Sequence, residues 1–268
     1  MPSGRLTEDL ARLAERSGLV RPAIAVVRLE DGASAGFHAR RPLYPASMIK
    51  VPLVAAALVL RERGELGSGP YPIVASNLTA NDGPSPLVAG YQSRLEELCT
   101  LAIVRSDNVA TNQLFDITGR ERATEVLRST LGLSQTSLRR KLSGGHPLLR
   151  DPAQFGRNAH PASDAATLMC AIATGGFPGA NFLFSLLAQQ EWNTKLSGGM
   201  AAGDRFAHKT GDTEDVSHDG GILITVGGER FVVVVYSASP SCEETDTRFA
   251  TLMRALRPLL EARSDSAT

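Results

Sequence analysis

The stretch YPASMIKVPLVAAAL, residues 44–58, carries a serine and a lysine three residues apart where an apolar helix begins. Residues three apart in a helix lie on the same face about one turn apart, so Lys50 can reach the hydroxyl of Ser47. The uncharged run from Val51 to Leu60 is about half the length that a membrane span needs. The stretch predicts either a serine nucleophile with a lysine beneath it or a surface helix with a chance Ser and Lys in its first turn.

The composition is that of a soluble globular protein, with 268 residues, 43% hydrophobic and 21% charged. This length predicts one large domain or two intertwined ones. The formal net charge of +0 argues against a surface built for nucleic acid or anionic membrane, so we expect neither as a partner. The first 19 residues contain no uninterrupted apolar core, which predicts a cytoplasmic chain, or a periplasmic or secreted one if an export signal has been trimmed from it.

The three cysteines, Cys99, Cys170 and Cys242, are widely scattered and show no CxxC spacing. Zinc binding and a disulfide framework are therefore both disfavoured. Cys99 and Cys170 lie in apolar helical surroundings, so we interpret them as small buried hydrophobic residues.

Strand patterns occur at both ends of the chain and helical patterns lie between them. Residues 23–39 predict two strands joined at the tight-turn dipeptide Asp31-Gly32, and the stretches RFAHKTG, GILITVG and RFVVVVYSA predict strands near the C-terminus. The helical patterns cover a short N-terminal helix up to about Gly18 and residues 47–63, 94–104, 108–118, 121–131, 163–174, 181–190 and 244–262. We therefore predict a sheet domain made of residues 1–42 and 203–268, an inserted helical domain of residues 43–202, and an active site in the cleft between them.

Two more polar clusters accompany the Ser47–Lys50 pair. Ser106-Asp107-Asn108 separates two helices, where it serves either as a helix N-cap or as a loop that faces the cleft. Lys209-Thr210-Gly211 closes a strand. There the lysine is either solvated or, with the threonine hydroxyl, binds a substrate carboxylate, while Gly211 lets a ligand approach the backbone.

The order Ser-x-x-Lys, Ser-Asp-Asn, Lys-Thr-Gly resembles the signature of class A β-lactamases and penicillin-binding proteins. The segments GRERATEVLRSTLGLSQTSLRR, GRNAHPASDAATLM and HKTGDTEDVSHDGGIL are also similar to the class A-related serine hydrolase family. The resemblance covers most of the chain. It implies an α/β plus all-α architecture of the β-lactamase/penicillin-binding-protein type, in which helices flank an antiparallel sheet and a helical lobe is inserted.

The resemblance also implies a role for each motif. Ser47 is the acylated nucleophile, Lys50 its base or a proton shuttle, and Ser106 a proton relay to the leaving group. Substrate binding falls to Asn108, Lys209, Thr210 and Gly211, and the oxyanion hole to the backbone N–H groups of Ser47 and Asp212. We expect a monomer that acts on a small molecule, a β-lactam or an acyl-D-alanine-like amide, without a metal or organic cofactor.

One part of the class A pattern is missing. The family carries a glutamate that activates the deacylating water in a loop before a proline matched here by Pro161, yet residues 139–161 contain no glutamate. The remaining candidate bases are His146, Asp151 and His160, and each is better explained as a structural or exposed residue than as a catalytic one. His218 lies near the place of an arginine that binds the substrate carboxylate in class A enzymes, and its alternative role is a structural pair with Asp219.

The leading hypothesis is a serine hydrolase that opens β-lactams through an acyl-enzyme on Ser47, with slow deacylation. The first alternative keeps the chemistry and changes the substrate: a D,D-peptidase, an esterase or a biosynthetic amidohydrolase. The second is a β-lactam sensor or sink that is acylated once and does not turn over. The fold alone does not decide among them.

Overall fold

A five-stranded antiparallel sheet forms the centre of the computed structural model, which describes residues 3–145, 148–151 and 156–261. Its strands come from both ends of the chain in the order β2-β1-β7-β6-β5. The strands are β1 Ala23–Arg28, β2 Ser34–Phe37, β5 Arg205–Asp212, β6 Ser217–Ile224 and β7 Arg230–Ser237, and a separate two-stranded ribbon pairs β3 Tyr71–Pro72 with β4 Gln92–Ser93.

Helices surround the sheet and fill the middle of the chain. They are α1 Ser3–Arg16, α2 Lys50–Glu62, α3 Leu95–Val104, α4 Asn108–Thr118, α5 Arg120–Leu131, α6 Ala162–Ala173, α7 Ala180–Leu187 and α8 Glu243–Glu261, with short 3-10 turns at Ala46–Ile49, Ala75–Asn77 and Leu196–Gly199. In the described part of the chain, none of these helices combines the length and the apolarity that crossing a bilayer requires.

The central strand β7 is buried on both faces of the sheet. Phe231, Val233 and Val235 pack with α1 and α8 on one face. Val232, Val234 and Tyr236 alternate with them and join the larger core of the helical lobe. Because successive side chains of a strand point to opposite faces, a strand buried on both sides is a continuous apolar run, as RFVVVVYSA is.

Helix α2 runs through the middle of the helical core. Every residue from Lys50 to Leu60 is buried, which explains why this helix shows no polar face. It ends before Gly64, whose φ of +69° is the left-handed conformation that commonly terminates helices. The polar head of Lys50 is therefore enclosed in an otherwise apolar helix and needs hydrogen-bonding partners from neighbouring segments.

The predicted architecture is confirmed, including the hairpin at Asp31-Gly32 and the helical middle segment. Two elements differ from prediction. The turn that carries Ser47 is a 3-10 helix, and α2 begins only at Lys50. Strand β6 begins at Ser217, four residues before the predicted apolar stretch at Gly221, because its first polar residues are buried in the sheet and bond within it. The division into residues 1–42 with 203–268 and 43–202 stays a prediction.

The turn Leu196–Gly199 packs tightly on α8 and yields a stability prediction. A Cβ atom added at Gly199 would lie 2.0 Å from the Ala250 carbonyl oxygen, whereas the nearest atom to one at Gly198 would be the Ala250 Cβ at 3.6 Å. We expect Gly199→Ala to lower the free energy of unfolding by about 1–3 kcal/mol through overpacking. Equilibrium urea denaturation measures this loss, and Gly198→Ala is the matched control, expected to retain wild-type stability. Equal losses in the two variants would contradict the packing argument.

Candidate active site

Ser47 lies in the 3-10 turn Ala46–Ile49, where β5 meets the helical lobe. The preceding residue, Ala46, has a φ of +46°, a conformation that costs a non-glycine residue about 1–2 kcal/mol. The Ser47 side chain is half-buried, and its hydroxyl makes no hydrogen bond to any other residue that the structure describes. Such backbone strain is common at functional sites. Because the Ser47 hydroxyl has no hydrogen-bond partner among the described residues, it is open to a ligand.

Gly211 brings strand β5 into direct contact with the Ser47 turn. A Cβ atom at Gly211 would lie 3.0 Å from the Met48 nitrogen and 3.0 Å from the Pro45 oxygen. The sequence predicts that Gly211 lets a ligand approach the backbone. In the structure the segment that approaches is the turn that carries Ser47, so Gly211 sets the spacing between this turn and β5.

Lys50 is completely buried, and its Nζ atom bonds to the link between α3 and α4. It donates to Asn108 Oδ1 at 2.8 Å, to Ser106 Oγ at 3.0 Å and to the Ser106 carbonyl oxygen. No hydrogen bond joins Lys50 Nζ to Ser47 Oγ among these contacts. The Lys50 amine is thus held by Ser106 and Asn108 and not by Ser47.

Both interpretations of Ser106-Asp107-Asn108 hold, each for different residues. Asp107 is the N-cap of α4, and its buried carboxylate accepts from the Ala110 N–H at 2.9 Å. Ser106 has a left-handed φ of +57°. Ser106 and Asn108 thus bond to Lys50 while Asp107 braces the loop.

The amines of Lys50 and Lys209 are both buried, and each lies within electrostatic range of the other. Burial, followed by the charge of Lys209, lowers the pKa of Lys50 well below its ordinary range. Burial also lowers the pKa of Lys209 to about 7, against the opposing effect of Asp212. Lys209 donates to the Thr210 carbonyl oxygen at 3.0 Å, and Thr210 is also buried. The solvated alternative for Lys209 is wrong.

The opposite face of β5 carries an ion pair between a buried lysine and an exposed aspartate, which the sequence did not predict. Lys195 Nζ lies 2.5 Å from Asp212 Oδ1, and Ser217 Oγ donates to the same oxygen at 3.0 Å. Asp212 alternates with Gly211, so its side chain points away from the Ser47 turn. The pair holds the end of the strand whose Asp212 N–H the resemblance assigns to the oxyanion hole.

His218 is enclosed in the sheet. Its Nε2 donates to the Tyr44 carbonyl oxygen at 2.7 Å, its Nδ1 accepts from the Ser237 N–H at 3.2 Å, and the ring stacks on Tyr236. Burial lowers the pKa of His218 to about 4, so the ring is neutral near pH 7. The predicted pair with Asp219 is wrong, because adjacent strand residues point to opposite faces, and Asp219 instead bonds His208 Nδ1 at 2.7 Å. Both ring nitrogens of His218 are occupied, which does not favour its substrate-binding role.

The described candidates for a deacylation base are engaged in structural contacts. Asp151 is ion-paired with Arg120 at 2.5 Å and accepts from the Lys141 N–H at 3.0 Å. His160 is buried, its Nδ1 lies 2.8 Å from Thr136 Oγ1, and burial lowers its pKa to about 3. The third candidate, His146, lies outside the described residues.

Asn112 attaches the loop after α5 to helix α4. Its Oδ1 accepts from the Leu142 N–H at 2.8 Å, and its Nδ2 donates to the Leu142 carbonyl oxygen at 2.9 Å. Asn112 follows Asn108 by four residues, so the two side chains share one face of α4. The loop residue that Asn112 holds is therefore a leucine, whose buried side chain offers no proton acceptor.

The scarcity of lysine was the signal that could have identified Lys195. The chain has four lysines, Lys50, Lys141, Lys195 and Lys209, and none is exposed. Lys141 bonds Asn77 at 2.6 Å and Asp116 at 2.7 Å and so holds the same loop.

Within residues 3–145, 148–151 and 156–261, no three His, Cys, Asp or Glu side chains are grouped to hold a metal ion.

Comparison with known proteins identifies the class of protein to which this fold belongs. The structure matches a variant of the last common ancestor of Gram-negative bacteria β-lactamase class A with a TM-score of 0.78, 27% identity, and coverage of 95% of this chain and 98% of that one. PBP-A matches with a TM-score of 0.83, 24% identity and 96% of each chain, which shows the shared fold.

The chain belongs to the beta-lactamase enzyme family, whose family model matches residues 5–257. A β-lactamase from Rhodobacter capsulatus is 31% identical over 130 residues, which make up 48% of this chain and 44% of that protein. The match thus spans less than half the length of this relative.

The depressed pKa of Lys209 predicts a pH-dependent cost to folding. With a pKa of about 7 in the folded chain against 10.5 ordinarily, the cost is fully present below pH 7 and disappears as pH rises toward 10.5. We expect Lys209→Met to raise the free energy of unfolding, by most near pH 6 and by less at pH 9, as measured by urea denaturation. Lys141→Met is the control and should lose stability, because it removes an ion pair with Asp116. A gain for Lys209→Met that does not change with pH would contradict the assignment.

Proposed function

We propose that this protein is a serine hydrolase that forms an acyl-enzyme on Ser47 with β-lactams or related amides, and that its deacylation is slow. The observation that carries the proposal is the buried amine of Lys50, with its depressed pKa, bonded to Ser106 and Asn108 one turn from Ser47. Because its pKa is lowered, the Lys50 amine loses its proton more readily than an ordinary lysine and can then accept one from a hydroxyl group. Membership of the beta-lactamase enzyme family supports the same chemistry.

During acylation a proton moves from Ser47 to Lys50 and then through Ser106 to the leaving group. Lys50 takes the hydroxyl proton as Ser47 Oγ bonds to the substrate carbonyl carbon. The backbone N–H groups of Ser47 and Asp212 stabilise the resulting oxyanion. As the C–N bond breaks, the proton moves from Lys50 through the Ser106 hydroxyl to the leaving nitrogen. The Lys50–Ser106 distance of 3.0 Å supports this relay.

Substrate binding uses groups on both sides of Ser47. Lys209 and Thr210 bind the substrate carboxylate, in a charge-assisted contact on the β5 side. Asn108 binds the amide of the acyl group on the α4 side. One Nδ2 hydrogen of Asn108 is donated to the Ala80 carbonyl oxygen at 3.0 Å, and the other is left for the substrate.

A specific observation favours the candidate that is acylated once over one that turns over rapidly. Hydrolysis of the ester requires a base that activates water, and Asp151 and His160 are both committed to structural contacts. Loss of a positioned general base costs about 10²–10⁴-fold on that step alone. The protein would then act on β-lactams as a slow enzyme or a covalent sink, while a D,D-peptidase, esterase or amidohydrolase activity would use the same acylation groups.

We expect Ser47→Ala to abolish covalent labelling by benzylpenicillin, because no other group in the proposed mechanism supplies the nucleophile. Intact-protein mass spectrometry over time measures the adduct.

In the wild type, a chromogenic cephalosporin should give a burst of about one product per enzyme followed by slow turnover, and Lys50→Ala should slow the burst by about 10²–10⁴-fold. Labelling that persists in Ser47→Ala would refute the nucleophile assignment. Fast turnover without a burst would refute slow deacylation.

The Asn112 clamp predicts where a deacylation base can be restored. We expect Leu142→Glu to place a carboxylate one helical turn from Asn108 and to raise the steady-state turnover of the same cephalosporin by at least about tenfold, with the burst rate nearly unchanged. Leu142→Gln is the matched control, since it has nearly the same shape without a basic group, and it should leave turnover at the wild-type rate. Equal turnover in the two variants would contradict the assignment of Leu142 to this position.

A further inference from the structure

The segment after the turn Ala75–Asn77 lies directly against the proposed substrate-binding residue Asn108. The Asn108 N–H donates to Asn81 Oδ1 at 2.6 Å, and Asn108 Nδ2 donates to the Ala80 carbonyl oxygen at 3.0 Å. The same segment is held from the other side, because Thr79 Oγ1 accepts from the Gly144 N–H at 3.1 Å. These contacts fix Asp82, the next residue along the chain, at the edge of the site.

The charge of Asp82 acts on both lysines of the site. Asp82 favours the protonated form of Lys50 and of Lys209, so its carboxylate lies within electrostatic range of both amines. It is exposed, whereas the two amines are buried. The site therefore has two buried amines in its interior and an acidic group at its rim on the Asn108 side.

The other acids that act on these lysines are already engaged. Asp107 caps α4, Asp212 is paired with Lys195, and Asp219 bonds His208. Asp82 makes no hydrogen bond or ion pair with any residue in the described part of the chain. Its charge is thus the one in this group that remains open to a ligand.

We propose that Asp82 is a specificity-determining residue that binds an ammonium group on the acyl side of the substrate. The substrate class is a zwitterionic amide, with a carboxylate that binds Lys209 and an ammonium that reaches Asp82. The ammonium belongs to the acyl side because Asp82 adjoins Asn108, which binds the acyl amide. This inference rests on the proposed function.

An exposed ion pair is weak and sensitive to salt. Contacts of this kind change an equilibrium or a rate by about two- to fivefold. The effect should decrease between about 0.01 M and 1 M salt, as the screening length falls from about 30 Å to 3 Å. The test must therefore compare ligands that differ in a single charge.

Ampicillin and benzylpenicillin form such a pair, because they differ by one ammonium group on the acyl side chain. We expect Asp82→Asn to lower the ratio of the ampicillin to the benzylpenicillin acylation rate by about two- to fivefold at low salt. The matched control is Asp31→Asn, which removes an exposed carboxylate in the β1–β2 turn, at the sheet edge opposite β5. This control should leave the ratio unchanged.

The outcomes separate this inference from the proposed function. An unchanged ratio in Asp82→Asn, with both penicillins still labelling Ser47, overturns the role of Asp82 alone. An equal fall in Asp31→Asn also overturns it, because net charge would then explain the effect. If neither penicillin labels the protein, the proposed function fails, and the ratio of the two dissociation constants, measured by calorimetry in the same variants, becomes the test. An unchanged ratio there, or no binding of either compound, overturns the inference as well.

Discussion

The burial of the Lys50 amine is the constraint on which the site depends. Helix α2 is enclosed on every side by apolar residues, so an amine at its first residue must find hydrogen-bond acceptors or destabilise the core. Ser106 and Asn108 supply them, which ties α2 to the link between α3 and α4. Ser47, the proposed nucleophile, lies on the turn immediately before α2, so the same contacts help to determine where it is held.

Because Lys50 and Lys209 are buried in one site, the pKa of each amine is lowered. Each buried amine also lowers the free energy of unfolding. Burial disfavours the charged forms of Lys50 and Lys209, and the charge of Lys209 adds to this effect at Lys50. On the other face of β5, Lys195 remains beside Asp212, so that charge is compensated. The contrast separates the two faces of one strand. On the face toward Ser47, the buried amine of Lys209 lowers the stability of the fold. On the face toward α8, the ion pair between Lys195 and Asp212 holds the strand.

The sequence predicted the elements and the three motifs because both are local properties of the chain. Apolar periodicity identified the helices and most strands, and the motif order identified Ser47, Lys50 and Lys209. Contacts between distant segments were not predictable, such as the Asn112 bonds to Leu142 or the Lys195–Asp212 pair. The start of β6 was missed because Ser217, His218 and Asp219 are polar, and polar residues signal a loop unless the sheet satisfies them. The mistaken His218–Asp219 pair followed from that error, since only strand alternation separates the two side chains.

The loop after α5 explains why the two steps of an acyl-transfer reaction can diverge in one fold. Three of its described polar side chains hold the loop: Lys141 bonds Asp116, Asp151 bonds Arg120, and Asn158 bonds the Arg139 and Arg140 backbone. A side chain that fixes a loop through its lone pairs or its charge does not also deprotonate water. The residue that Asn112 fixes nearest to Asn108 is apolar. The proposed acylation groups thus lie in the turn before α2, on α2, in the link that leads into α4 and on β5. The proposed hydrolysis step depends instead on one loop, in which the described residues Lys141, Asp151 and Asn158 hold the structure.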